Sequence, residues 1–151
     1  MTTTATYHTT VNWQGEHWGE VTMGNGPQMA FSAPPDAYGH PNVLTPEDAF
    51  VASVNSCIML MFIWAAKRFK LDLLAYECYA EGTKLIELDR TEIFTEVRLQ
   101  PQIRIAANGE PLAKVEARID KALAAAQKYS LVANSVKSAV IIDPQFEIVT
   151  N

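Results

Sequence analysis

The chain has 151 residues, a length that favours one domain over residues 1–151, because two halves would each be too short to bury a good core. Apolar residues make up 48% and charged residues 19%, a globular composition that argues against disorder and collagen-like repeats. The first 66 residues carry five acids and no lysine or arginine, so the whole net charge of −5 lies there. Because phosphate binding needs a basic patch, we expect no nucleic-acid partner.

Metal and cofactor sites have no signature in this sequence. The three histidines stand apart from any close group of His, Cys and Asp, and no glycine-rich phosphate loop is present, so we expect neither a metal nor a cofactor. The first six residues lack the basic start and apolar run of a signal peptide, which favours a cytoplasmic protein. In that compartment Cys57 and Cys78 are expected to be reduced, and they matter as reactive thiols.

Short strands are expected in the first third of the chain. They cover Tyr7–Trp13, Gly19–Met23 and Gln28–Phe31. Asn25-Gly26 stands between the last two and predicts a hairpin, because both residues tolerate the positive φ of a tight turn. The proline-containing stretch from Ser32 to Asn42 is expected to be irregular.

A long apolar helix should follow, from Thr45 to about Phe69. Its start signals are a hydroxyl N-cap, a proline at the first position and two carboxylates at the positive end of the dipole: Thr45, Pro46, Glu47 and Asp48. Between Ala49 and Ala66 no face suits water, yet the stretch is too short and interrupted to favour a membrane span. The pattern favours a central helix enclosed on all sides, and because so short a chain has little material to enclose it, we expect a homodimer.

Alternating residues predict a half-buried strand over Leu73–Glu81. Its apolar face should carry Leu74, Tyr76, Cys78 and Ala80. Gly82-Thr83 is expected to turn the chain, and Leu85–Ile105 to hold one or two strands, bent or edged at Pro101. The alternation indicates that Cys78 is packed in a sheet face.

The last third predicts one amphipathic helix and a closing strand. The helix should begin after Pro111, with an apolar stripe at three- and four-residue spacing: Leu112, Val115, Ile119, Ala122, Leu123 and Ala126. Val140–Val149 should form the closing strand, interrupted at Asp143-Pro144. This order of elements indicates an α+β domain with antiparallel sheets.

Two local sequences carry a resemblance to a known family. Thr45-Pro46-Glu47-Asp48-Ala49-Phe50 leads through a helix of small residues to Ser56-Cys57, and the amphipathic helix runs into Tyr129-Ser130-Leu131-Val132-Ala133-Asn134-Ser135-Val136. Across about residues 10 to 150 the chain resembles the osmotically inducible protein C and organic hydroperoxide resistance (OsmC/Ohr) family. The resemblance implies an intertwined α+β homodimer with the cysteine helices at its centre. It also implies a thiolate that reduces organic hydroperoxides and is regenerated by dithiols.

The resemblance gives roles to particular residues. Cys57 takes the peroxide-attacking position, and Glu47 takes the position of the carboxylate that in the family holds an arginine beside the thiolate. The chain departs from the family twice: the resolving cysteine aligns with Ser130, and no lysine or arginine precedes the Pro-Glu motif. Among the early cations, His17 could partly replace the missing arginine, although a surface histidine is the simpler interpretation.

Each of these residues also has a plain structural interpretation. Cys57 could be inert core, and it lies three turns into the helix, too far for the dipole to stabilise a thiolate. Glu47 suits a helix start, and it lies about 15 Å along the axis and about 80° around from Cys57, so the two could meet only across a pair of helices. Ser130 cannot form a disulfide, which leaves it a hydrogen bond at most.

The sequence leaves several functions open. The first is a one-cysteine peroxidase in oxidative-stress defence, in which an external thiol resolves Cys57. The second is a non-catalytic module that binds a lipophilic ligand in an apolar pocket at the dimer interface, with Phe50, Met61 and Trp64 as its lining. The third is an interaction or scaffold protein with no small-molecule site.

Overall fold

A computed structural model describes residues 2–150 and confirms the α+β class, with helices and two sheets. The chain divides into two compact units, one ending at Phe50 and the other beginning at Val51. The single domain expected over residues 1–151 stays a prediction. The two units are described separately.

The first unit contains a three-stranded antiparallel sheet in the order β1-β2-β3. Its strands are β1 (Thr9–Trp13), β2 (Trp18–Met23) and β3 (Gln28–Ser32). The hairpin between β2 and β3 lies where Asn25-Gly26 predicts it, but only Gly26 takes a positive φ, of 116°. Its N–H donates to the Met23 carbonyl at 2.9 Å in a loop longer than a two-residue turn. The connection after β3 is irregular except for one 3-10 turn at Pro35–Ala37.

The long helix α1 spans Pro46–Arg68 and begins as its sequence predicts. The Asp48 N–H donates to the Thr45 hydroxyl at 3.1 Å, which is the expected N-cap. Within the chain α1 is buried on one side only: Leu60 is 57% exposed and Trp64 42% exposed. By length and composition α1 could cross a membrane, a test that the core helix of a soluble protein also passes. Enclosure on all sides would require cover from outside the chain.

The second unit places a four-stranded sheet beside the helices. Its elements are β4 (Asp72–Ile86), β5 (Glu92–Ala106), α2 (Leu112–Tyr129), α3 (Leu131–Ser135), β6 (Ala139–Ile142) and β7 (Gln145–Val149). β4 pairs antiparallel with β5 as expected, but β6 and β7 pair parallel with successive parts of β5, so the expectation of antiparallel sheets is wrong for these two strands. Phe62 of α1 packs in one core with Ile103 and Ile105 of β5 and with Val115 and Ile119 of α2.

Strand β4 corrects two predictions. The expected turn at Gly82-Thr83 is wrong: β4 runs on to Ile86. A Cβ at Gly82 would lie 2.7 Å from the Val51 side chain, so this glycine serves close packing of α1 against the strand. An irregularity in pairing between Leu73 and Ala75 also moves Leu74 off the apolar face, and Leu74 is 49% exposed.

Two further predictions, for Pro101 in β5 and Leu112 in α2, are wrong. Pro101 neither bends nor edges β5: it is fully buried and pairs with Cys78 in unbroken register. Its position falls between the parts of β5 that pair with β6 and with β7, so its missing N–H leaves no ladder bond unmade there. In α2 the predicted stripe is buried except for Leu112, which is 47% exposed at the first turn.

Candidate functional site

Cys57 and Ser130 are brought together in the second unit. Cys57 lies half-buried in α1, and the Ser130 hydroxyl donates a hydrogen bond to its sulfur at 3.1 Å across 73 residues of sequence. Ser130 follows the last residue of α2 and is completely buried. The contact therefore joins the middle of α1 to the end of α2.

The Ser130 hydroxyl is held by a second hydrogen bond. Its oxygen accepts the Ala133 N–H at 3.1 Å, which makes Ser130 the N-cap of α3. A hydroxyl can accept one hydrogen bond while it donates another, so the same Ser130 oxygen caps α3 and directs its proton at the sulfur of Cys57. The family resemblance suggests a hydrogen bond at most between these residues, and this geometry contains one.

The other cysteine lies on a different side of α1. The Asn55 side chain donates to the Cys78 carbonyl at 3.1 Å and so ties α1 to β4. Cys57 follows Asn55 by two residues, which is about 200° around the helix. The face of α1 that meets Cys78 is thus nearly opposite the face that carries Cys57, and both cysteines are free thiols.

Cys78 shares its surroundings with Tyr76. The Tyr76 hydroxyl oxygen is buried and makes no hydrogen bond of normal geometry with the described residues, 2–150, and its polar neighbour is the Cys78 thiol. Burial, with a smaller contribution from Cys78, raises the pKa of Tyr76 above its ordinary range. Burial likewise raises the pKa of Cys78, which favours the thiol over the thiolate.

A cavity of about 310 Å³ opens next to this pair. Its lining comes from α1 and β4: Ala52, Asn55, Ser56, Met59, Tyr76 and Cys78. The lining is largely apolar, with the Asn55 amide, the Ser56 hydroxyl and the Tyr76–Cys78 pair as polar groups. Sequence reasoning missed Asn55 and Tyr76 as site residues, although a lone amide inside an apolar helix is a signal that could have singled out Asn55.

Three of the expected site residues lie in the first unit. Glu47 stands in the first turn of α1, and its Oε1 is buried with no hydrogen-bond partner among residues 2–150. His17 is exposed between β1 and β2, where its carbonyl accepts the Ala33 N–H at 3.4 Å. Phe50 ends this unit and is half-buried. Their placement beside the Cys57 thiol stays a prediction.

The other two pocket candidates, Met61 and Trp64, belong to different surroundings. Met61 packs against the main core of the second unit. Trp64 contacts Tyr129 edge-on, with ring centroids 5.8 Å apart, at the surface. Their joint lining of a pocket next to Cys57 stays a prediction. Within residues 2–150, no group of three or more His, Cys, Asp and Glu side chains could hold a metal ion.

Comparisons with known proteins bear on the family and the fold. The family model described as OsmC-like protein matches residues 39–145. An OsmC-like protein of unknown function from Vibrio cholerae has a TM-score of 0.84 at 22% identity, covering 94% of this chain and 100% of that one.

Two organic hydroperoxide resistance proteins share the fold at lower identity. The Elizabethkingia anophelis protein has a TM-score of 0.71 at 18% identity and covers 99% of this chain and 100% of its own. The Legionella pneumophila protein has a TM-score of 0.67 at 16% identity, with 97% and 99% covered. No curated protein sequence matches the chain. At these identities the likeness establishes the fold.

Proposed function

This chain belongs to the OsmC-like protein family, and from that premise we propose that it is a soluble one-cysteine peroxidase. It reduces organic hydroperoxides through Cys57 in oxidative-stress defence in the cytoplasm, with an external dithiol as reductant. The hydrogen bond of 3.1 Å from Ser130 to the Cys57 sulfur carries the proposal. The Elizabethkingia anophelis and Legionella pneumophila relatives are named for organic hydroperoxide resistance, which supports this substrate class.

The reaction begins with attack of the Cys57 thiolate on the terminal oxygen of the hydroperoxide. A sulfur–oxygen bond forms and the oxygen–oxygen bond breaks, so the thiol becomes a sulfenic acid and the peroxide leaves as an alcohol. The proton that the thiol released ends on the leaving alkoxide. Ser130 stabilises the negative sulfur before attack, because a hydrogen bond to a charged acceptor is stronger than one to a neutral acceptor.

Regeneration of Cys57 needs a thiol from outside the chain. Cys78 is on the opposite side of α1, and Ser130 has no sulfur. One thiol of a dithiol attacks the sulfenic sulfur, forms a mixed disulfide and releases water. The second thiol of the same molecule then attacks the mixed disulfide, which returns the Cys57 thiol and leaves the reductant oxidised.

The active form that we propose is a homodimer built on α1. One face of α1 carries an exposed ridge at four-residue spacing, formed by Ala52, Ser56 and Leu60. The side chain is small at the Ala52 end of this ridge and large at the Leu60 end. Two such ridges fit antiparallel about Ser56, with Ala52 of one copy against Leu60 of the other. Burial of this ridge, which ends at Leu60 one turn before Trp64, would cover the middle of the side of α1 that the chain leaves open.

Peroxide consumption with excess dithiol tests the activity. Wild type should consume cumene hydroperoxide, Cys57→Ser should not, and Cys78→Ser is the matched control that should retain consumption. Equal rates for wild type and Cys57→Ser would refute the peroxidase. Sedimentation at low micromolar concentration tests the dimer, and a compact monomer would contradict it.

A second candidate function rests on the cavity beside Cys78. Its volume of about 310 Å³ and its largely apolar lining suit a small lipophilic ligand held by a non-catalytic module. Native mass spectrometry of freshly purified protein distinguishes the candidates. A copurifying ligand that is lost in Met59→Trp, together with no peroxide consumption, would favour the binding module.

A further inference from the structure

A cleft of about 330 Å³ lies between the last turns of α1 and α2. Two alanines of α2 line it together with aromatic and basic side chains: Trp64, Arg68, Phe69, Lys128 and Tyr129. Trp64 follows Cys57 by seven residues, about 10 Å along α1, and Tyr129 directly precedes Ser130, so the cleft lies beside the Cys57–Ser130 contact and includes neither of its two residues. Neither proposed function above uses it.

Two cations flank two aromatic rings in this cleft. The Arg68 guanidinium lies 5.7 Å from the centre of the Trp64 ring, and the Lys128 ammonium lies 5.1 Å from the centre of the Tyr129 ring. None of the lining residues is acidic. Among residues 2–150, neither Arg68 nor Lys128 forms an ion pair. The cleft therefore presents two uncompensated positive charges beside apolar surface.

Favourable helix electrostatics accounts for only part of this arrangement. Cations in the last turn of a helix are stabilised by the dipole, and both Arg68 and Lys128 stand in such a turn. The dipole gives no reason for aromatic rings to remain in water beside them. Trp64 is 42% exposed and Tyr129 is 53% exposed. Large apolar surface that stays open around a charged centre is typical of a binding site.

We propose that this cleft binds an amphiphilic organic anion, with its carboxylate between Arg68 and Lys128 and its apolar body against Trp64 and Tyr129. The two cations recognise the anionic group by charge-assisted hydrogen bonds. The rings and the small α2 side chains bury the apolar part, and the volume suits a molecule the size of a two-ring aromatic acid. The binding does not involve the Cys57 thiol.

Isothermal titration with 2-naphthoate tests the site, with neutral 2-naphthalenemethanol as the matched probe. Naphthoate should bind at least about tenfold more tightly than the alcohol, and the double variant Arg68→Gln, Lys128→Gln should weaken naphthoate binding about tenfold or more. Lys114→Gln, Lys121→Gln removes the same charge elsewhere on α2 and should leave the affinity within about twofold. Arg68→Lys, Lys128→Arg should restore most of the affinity, which excludes a folding defect as the cause of weakening.

Three results would overturn the proposal. They are no saturable naphthoate binding to wild type at millimolar concentration, equal binding of acid and alcohol, and equal weakening in both double glutamine variants. Cys57→Ser should bind naphthoate with unchanged affinity. The failure of this cleft and the failure of the peroxidase proposal are thus separate outcomes.

Discussion

Replacing Ser130 with cysteine should create a disulfide with Cys57. The Ser130 oxygen already lies 3.1 Å from the Cys57 sulfur, and a disulfide requires sulfur atoms about 2.05 Å apart. The new thiol must therefore move about 1 Å. Hydroperoxide converts Cys57 to a sulfenic acid, and the neighbouring thiol then displaces water to form the bridge.

The bridge should change stability by a measurable amount. It would close a loop across 73 residues, for which the chain-entropy model gives about 4 kcal/mol at 25 °C. Strain from the required movement lowers this figure, so we expect the oxidised variant to be about 2–4 kcal/mol more stable than its reduced form. Comparing two redox states of one variant removes the cost of the lost Ser130 cap, which is about 1 kcal/mol.

Peptide mapping without reductant and urea denaturation of both redox states provide the assay. A Cys78→Ser background leaves Cys57 as the only native thiol. Ser130→Ala is the control: it should accumulate oxygen on Cys57 and gain no stability on oxidation. If the Ser130→Cys protein forms no bridge after hydroperoxide, either the contact or the reactivity of Cys57 is wrong.

Three further predictions concern stability, each measured by urea denaturation. Arg118→Ala should lower the free energy of unfolding by about 1–3 kcal/mol, because it removes hydrogen bonds to two backbone carbonyls beyond the end of α1. Arg104→Ala, which removes an exposed ion pair, is the control and should lower it by under about 1 kcal/mol. Gly82→Ala should cost about 1–3 kcal/mol through its clash with Val51, and Val51→Ala should recover part of that loss. Because burial raises the pKa of Tyr76, its hydroxyl stays protonated in the folded protein at pH values where the unfolded chain ionises, so the free energy of unfolding should fall as pH rises above the ordinary pKa of 10.0. Tyr76→Phe should flatten that decline, and an equal decline in the variant would contradict this reasoning.

The local sequence predicts those elements whose boundaries depend on local chemistry. The start of α1 follows from a hydroxyl, a proline and two carboxylates, and the cap forms between Thr45 and Asp48 as expected. The buried stripe of α2 follows from helical spacing alone, apart from Leu112 at its first turn. In both cases the determining interactions lie within a few residues.

Long-range packing decides the features that the sequence did not predict. Gly82 looks like a turn residue, but its role depends on Val51 approaching from α1. Pro101 looks like an edge residue, yet it stays inside the sheet, because β6 pairs with the part of β5 before it and β7 with the part after it. Neither partner is recognisable from the neighbouring sequence. The contact between Cys57 and Ser130 was suggested only by the family resemblance, because 73 residues separate the two positions.

Ser130 can position the Cys57 thiol, but it cannot resolve the sulfenic acid that Cys57 forms. A serine whose oxygen caps α3 can still direct its proton at the sulfur, so the site keeps a fixed polar neighbour for the thiol. It cannot provide the sulfur that a second thiol would contribute. Cys78 cannot take over that task from its place on β4, because the α1 face that meets it through Asn55 is nearly opposite the face that carries Cys57. A chain with this arrangement that turns over hydroperoxide must obtain every reducing equivalent from an external thiol, which makes access to the Cys57 sulfur the property that limits its chemistry.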